Sequence, residues 1–395
     1  MTTSASHHHA APHLFTSREG LPSTKLQLSR LSLCRFRNYD QLTLSPQAPI
    51  VVLTGENGSG KTNLLEAVSL LTPGRGLRGA PLSHFGQNGS AHWGVASHIL
   101  VDGHPIDLGT GLQPGTETPR RIFLLNGRPL RNQNTWENPL AAVWLTPQMD
   151  RLFSESTSGR RRFLDRLVMA AYPHHARELA AYDRAMTQRN RLLQTRANEQ
   201  VWLSGLEGAM ARHGVSVAAA RNETVRQINL YAQQDMDAFP AVQIKLDCAI
   251  ADRLDAAPAL HVEDWLKEKL FATRTVDREK GRSGLGVHKT DFQLMDLKKN
   301  LPAALASTGQ QKSLLIGLIL AHARLVRDHR GTAPLLLLDE PLVHLDEQRR
   351  ISLQKILQNF QSTVLITGTD SAPFAPLQGH AQFASIRQGS FLSIC

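Results

Sequence analysis

The sequence predicts an α/β protein: a mixed sheet with helices, preceded by antiparallel strands and interrupted by a mainly helical second lobe. Three observations lead there. An apolar run at 50–54 meets a glycine loop and then a helical pattern over 63–71. Four leucines at 335–338 end in Asp339-Glu340. Between them, residues 158 to about 235 read as long helices rich in Ala, Leu, Arg and Gln.

A chain of 395 residues can bury a full core and divides naturally into two lobes. No apolar run approaches the ~20 residues that span a bilayer. The polar, His-rich start has no secretory core, so a cytoplasmic location is expected. Cys34, Cys248 and Cys395 lie far apart and form no metal-type spacing. They fit a reducing compartment. The net charge of +10 favours a polyanionic partner without specifying one.

Residues 1–24 are aperiodic and read as a disordered tail, and His7-His8-His9 as solvated tail rather than a metal site. From Lys25 the chain alternates with period two over 26–33 and again over 42–44. The glycine loop and its helix follow, then a Gly/Arg segment at 73–79. Alternation returns from Ala91 to Leu108 and through 121–128, where Asn126-Gly127 suggests a hairpin turn. Near Pro147 the character changes. From Arg151 to Arg196 there are ten arginines, four acids and no lysine. That fits solvated amphipathic helices or a basic arm on phosphates equally well. Residues 242–246 read as a strand, 261–281 as one charged helix, and 288–294 as a strand. A strong helix over 310–327 is apolar at Leu314, Leu315, Leu318, Ile319 and His322/Ala323. A buried strand (335–338), a helix (347–360), a strand (363–367) and a closing hairpin (383–394) complete the chain. The expected division is a tail at 1–24, a sheet-bearing lobe made of 25–148 (with the glycine loop) and 285–395 (with the acidic strand), and the helical lobe at 149–284.

Gly55-Glu56-Asn57-Gly58-Ser59-Gly60-Lys61-Thr62 matches a phosphate loop in its proper strand–loop–helix context. Its glycines let backbone N–H groups approach an anion, and the following helix points its positive end there. Lys61 would reach the outer phosphates and Thr62 would coordinate Mg²⁺. Asp339 would hold the same ion from the end of its buried strand, and Glu340 would act as general base toward water. Ser307 is a good N-cap, and Gly309 before Gln310 permits close approach of a phosphate.

The order of these motifs resembles the ABC-type ATPases, in the branch that includes SMC-like repair proteins. On that resemblance Ser307, Gly309 and Gln310 match the signature motif acting in trans, Leu345-Asp346 the D-loop, and Gln148 the Q-loop. Residues 31–39, Gly55-Glu56-Asn57-Gly58, 73–78, 160–165 and 286–291 are similar to the RecF family. The similarity spreads over residues 26 to about 370. It implies an ABC-type head that binds ATP and Mg²⁺ between two copies of the chain, with ATP driving dimerisation. It further implies binding of DNA, especially duplex beside a single-strand gap, and partnership with RecR and RecO in loading RecA. Arg75, Arg78, Arg160, Arg161 and Arg162 are candidate DNA contacts or dimer supports.

Two departures stand out. Gly286-Val287-His288 replaces the family's usual Gly-Pro-His. No histidine follows the strand ending at Thr367, where many ABC transporters carry a switch histidine; its absence favours slow hydrolysis. A transporter subunit would use the same motifs, but here the signature lies about 245 residues after the loop, too far for that compact class. An SMC-type structural protein needs longer coiled coils than 158–281 can supply. A nuclease with an attached ATPase needs an additional acidic metal cluster, which the sequence lacks.

Overall fold

A computed structural model describes residues 25–90, 92–113, 120–130, 139–233 and 238–394. The expected tail at 1–24 with its histidines, Ala91 and Cys395 lie outside them. The chain opens with a hairpin, β1 (Leu26–Phe36) and β2 (Tyr39–Leu44). Leu26, Leu28, Leu31 and Leu33 all enter the core, although the step from 28 to 31 breaks the alternation. A bulge between Leu28 and Arg30 absorbs the extra residue.

The loop strand β3 (Ile50–Thr54) and helix α1 (Lys61–Ser69) come next. Then follow β4 (Gly94–Val101), β5 (His104–Leu112), β6 (Arg121–Leu125) and β7 (Arg128–Pro129). Asn126 and Gly127 both take left-handed φ, 48° and 75°, as a tight two-residue hairpin requires. After β8 (Ala142–Leu145) come α2 (Thr157–Ala171), α3 (His175–Thr195) and α4 (Gln200–Ala232). Next stand β9 (Val242–Asp247), α5 (Ala249–Leu254), α6 (Ala259–Ala272), α7 (Arg274–Lys280), β10 (Asp291–Asp296) and β11 (Leu301–Pro302). The last part is α8 (Thr308–Arg330), β12 (Leu335–Leu338), α9 (Glu347–Gln358), β13 (Val364–Gly368), β14 (Ala381–Arg387) and β15 (Ser390–Ile394).

Three sheets result. One is antiparallel, ordered β2-β1-β4-β5-β6-β7, and a small one runs β11-β10-β9. The third, β15-β14-β3-β13-β12-β8, is parallel from β14 through β8, with β15 antiparallel at its edge. Its central strands are aliphatic throughout because both faces are covered. One core cluster joins the two large sheets with α1, α2 and α8, and a second lies among α3, α4, α5 and α6. Among the described residues no helix is long and apolar enough to cross a membrane.

The charged region at 261–281 is two helices rather than one. The Leu270 carbonyl, which a continuing helix would use, accepts from Arg189 Nη2 at 2.6 Å. The helix therefore stops at Ala272 and restarts at Arg274, whose guanidinium binds Glu207. The strand expected from His288 starts only at Asp291. His288 is held off the ladder by Tyr182 Oη at Nδ1 and the Ser283 carbonyl at Nε2.

Candidate functional site

The loop between β3 and α1 is tied down by its carbonyls. Asn38 Nδ2 and the Gly389 N–H donate to the Ser59 carbonyl, and Tyr39 Oη donates to that of Gly60. The Lys61 ammonium donates to the carbonyls of Gly55 and Glu56, at 2.7 and 2.9 Å. With its carbonyls engaged, the loop presents amides, and the first N–H groups of α1 have no partner within their own helix. Two glycines are sterically obligatory. At Gly60 (φ 119°) a Cβ would lie 2.6 Å from Tyr39 Oη, and at Gly55 (φ 144°) 2.2 Å from the Ile386 carbonyl oxygen. Gly58 faces open space. Glu56 and Asn57 are exposed, while Ser59 is buried. Burial lowers the Lys61 ammonium, and Glu340 and Asp339 pull it back up.

The acids arrive from the end of β12. Asp339 is 4% exposed, and both its oxygens meet Thr62 Oγ1, at 3.0 and 2.9 Å. Thr367, at the end of β13, donates to Asp339 Oδ1 at 2.8 Å. The same Thr367 oxygen accepts the Glu340 N–H at 2.9 Å. Hydroxyls, and no cation, are thus the hydrogen-bond partners of this carboxylate. A buried anion so placed, beside a second oxygen ligand in Thr62, suits a divalent cation. Glu340 takes a left-handed φ of 49°, which is rare for a residue with a Cβ.

Gly368 stands where a switch histidine would be sought. A Cβ there would lie 2.5 Å from the Phe374 ring, so packing closes the position to any side chain.

The other motif residues surround this centre. Ser307 caps α8 in a reciprocal capping box with Gln310. Gly309 lies close to a later segment, since a Cβ there would sit 3.0 Å from the His344 carbonyl oxygen. Asp346 caps α9 by accepting from the Arg349 N–H at 2.9 Å. Gln148 is exposed in the turn Pro147–Arg151 after β8, the strand beside β12. Within one chain, then, Lys61, Thr62, Asp339 and Glu340 come together. Ser307 and Gly309 lie at the tip of α8, with the His344 carbonyl near Gly309 and Asp346 two residues further along the chain.

Residues 50–367 match a family model described as "AAA domain, putative AbiEii toxin, Type IV TA system". The chain is 42% identical over 367 residues to the DNA replication and repair protein RecF of Mesorhizobium japonicum, covering 92% of this chain and 97% of that protein. It is 43% identical to RecF of Agrobacterium fabrum over 371 residues, with 93% and 98% covered. The chain belongs to the RecF family. These relatives are named as DNA replication and repair proteins. A solved RecF–ATPrS structure of the RecFOR pathway superposes with TM-score 0.81 at 21% identity, covering 94% of this chain and all of that one. An Smc head domain from Pyrococcus furiosus superposes with TM-score 0.51 at 13% identity, covering 94% and 96%. The architecture is accordingly that of an ABC-type ATPase head.

In this RecF-family chain the candidate DNA arginines meet different fates. Arg78 reaches Asn63 and Glu66, and Glu66 is also gripped by both Arg37 Nε and Nη2. Arg160 makes a two-pronged pair with Asp291, at 2.7 and 2.8 Å, joining α2 to β10. Arg161 is partly buried and donates to the Thr290 carbonyl. Arg75 and Arg162 are exposed.

Sequence reasoning passed over Asn38, Tyr39, Thr367 and Lys312 as site residues. The first two sit in an Asn-Tyr turn with no phosphate-type signature. Thr367 looks like one more β-branched strand residue. Lys312 stands two residues after Gln310, outside the Ser307–Gln310 match.

Proposed function

We propose that this chain is an ATP-dependent DNA-binding repair protein that hydrolyses ATP slowly. The observation that carries the reading is the convergence of Lys61, Thr62, Asp339 and Glu340 at one end of the parallel sheet. The residues from Gly55 to Thr62 would cradle the phosphates, with Lys61 exchanging its two loop carbonyls for phosphate oxygens. Thr62 and Asp339 would hold Mg²⁺, which supplies charge neutralisation at the phosphate oxygens when bound. Gln148 would approach from the neighbouring strand. Glu340 would accept a proton from the attacking water as general base.

The signature residues Ser307, Gly309 and Gln310 would act on the nucleotide of a second copy, with Asp346 beside them. Such an interface is isologous, and ATP then favours the dimer by linkage. DNA beside a single-strand gap is the proposed ligand, RecR and RecO the proposed partners, RecA the protein loaded, and the cytoplasm the proposed location. Exposed Arg75 and Arg162 are the first candidates for phosphate contacts. Arg78, Arg160 and Arg161 would contribute more by shaping that surface.

A gel shift on gapped duplex, with and without ATP, tests the reading together with sedimentation. Lys61→Ala should abolish ATP binding and the ATP-dependent shift. Glu340→Gln should bind ATP, stop turnover and accumulate dimer. Wild-type protein that stays monomeric and binds gapped DNA equally with and without ATP would refute it. Fully intact membrane vesicles recruiting the protein instead would favour a transporter-type partner.

A further inference from the structure

We infer that Lys312 is a positioning residue for ATP hydrolysis: from the second turn of α8 it holds the backbone carbonyl of Glu340 and so sets the general base. The inference rests on the ATPase reading above. Lys312 is 1% exposed, yet it carries a charge on a flexible stem. Its ammonium donates to the Glu340 carbonyl at 3.1 Å and to Asp150 Oδ2 at 3.3 Å. Asp150 lies two residues beyond Gln148 in the turn after β8.

Glu340 is where such a hold is needed. A left-handed residue with a side chain persists only when its surroundings fix it. Here both ends of the residue are held. Its N–H is taken by Thr367 Oγ1, and its C=O accepts from Lys312 at 3.1 Å and, more weakly, from the Val343 N–H of its own turn at 3.4 Å. Loosening the carbonyl lets the backbone relax from that φ, which moves the Glu340 carboxylate. Thr367 has its own anchor in Asp339, so the N–H side is set by the site itself. On the carbonyl side the shorter bond comes from outside the turn, from α8.

That origin matters. The tip of α8 carries Ser307 and Gly309, and Gly309 lies close enough to the His344 carbonyl, in the segment that begins at Glu340, that an added Cβ would crowd it. Helix and segment thus run close together, and Lys312 bonds them directly. A displacement of the helix tip by a partner's nucleotide would move the Glu340 carbonyl directly. The position after Thr367 holds no side chain, so no switch residue there competes for this task.

Three measurements on the full chain test this: affinity for a fluorescent ATP analogue, single-turnover hydrolysis, and amide exchange over 338–346 without nucleotide. Lys312→Met should keep analogue affinity within about threefold while hydrolysis slows by about tenfold to a hundredfold. Exchange over 338–346 should quicken. Lys312→Gln, which retains a neutral donor, should fall between Met and wild type. Wild-type hydrolysis in Lys312→Met, equal losses of affinity and hydrolysis, or unchanged exchange would each overturn the inference. Should Lys312→Met fail to fold, Lys312→Gln decides: slowed hydrolysis with retained affinity supports it, and an unaltered rate overturns it. Lys61→Ala and Glu340→Gln run alongside. If they match wild type, the ATPase reading has failed, and the exchange measurement still judges the Lys312 contact.

Discussion

In the helical lobe, Arg189 and Glu207 are buried together, and Asp277 and Arg274 complete the group. Ser283 and the Leu270 carbonyl accept from two further Arg189 N–H groups. Nearby, Arg221 grips Asp165 with two bonds while His175 takes the same carboxylate. Burial alone would raise the Asp165 carboxyl, yet His175 and Arg221 outweigh it and hold it below the usual range. At the end of β12, buried charges live otherwise. Lys61 leans on carbonyls of its own loop, and Asp339 on two hydroxyls. The first region neutralises charge with opposite charge. The second satisfies charge with neutral groups that a ligand can replace. Buried charge marks structure in one place and readiness in the other.

Breaking the saturated network should cost most. Arg189→Met strands Glu207 and Asp277 with fewer partners, and urea unfolding should show a loss of about 3–5 kcal/mol. A loss below about 1 kcal/mol would erase the contrast.

The seam between α8 and α2 offers a second break. Burial pushes His322 down to about 4, with Nε2 donating to the Leu167 carbonyl. Above pH 6.5 both folded and unfolded forms are neutral there. Below it, only the unfolded chain takes the proton, so stability falls by about 1.4 kcal/mol per pH unit until about pH 4. Stability profiles of wild type and His322→Gln should diverge by about 3 kcal/mol across that window and run parallel above it.

Gly368→Ala probes a boundary set by shape alone. Contact with Phe374 predicts a loss of about 1–3 kcal/mol, restored by Phe374→Leu. The smallest effect has the opposite sign. Lys61→Met removes a buried cation whose neutral partners are replaceable, and thermal melts should show a gain of up to about 1 kcal/mol while ATP binding disappears. A destabilised Lys61→Met would place that lysine with the structural charges.

The contrast also explains what could be read beforehand. Phosphate loop, acidic strand and signature are each contiguous, so spacing alone displays them. The strands and helices around them follow from periodicity, including the closing hairpin. The Arg189–Asp277 pair joins residues 88 apart, and Thr62–Asp339 residues 277 apart. Distance in sequence hid the first and not the second, because only the second belongs to a recurring pair of motifs. The break at Thr273 was invisible for the same reason, since its cause, Arg189, lies on another helix. The arginine-rich stretch shows the limit of composition: Arg189 is wholly buried and Arg162 exposed, yet both count alike toward net charge.

The loop's last supports come from the far end of the chain. β14 pairs with β3, Ile386 backs Gly55, and the Gly389 amide holds Ser59. During synthesis a ribosome delivers residues 55–62 long before residues 381–389. Until the later residues emerge, the nascent loop is chemically complete and has no buttress. Capture of nucleotide therefore waits on the arrival of β14, and truncation before Ala381 leaves a loop with every motif residue intact and no competent shape.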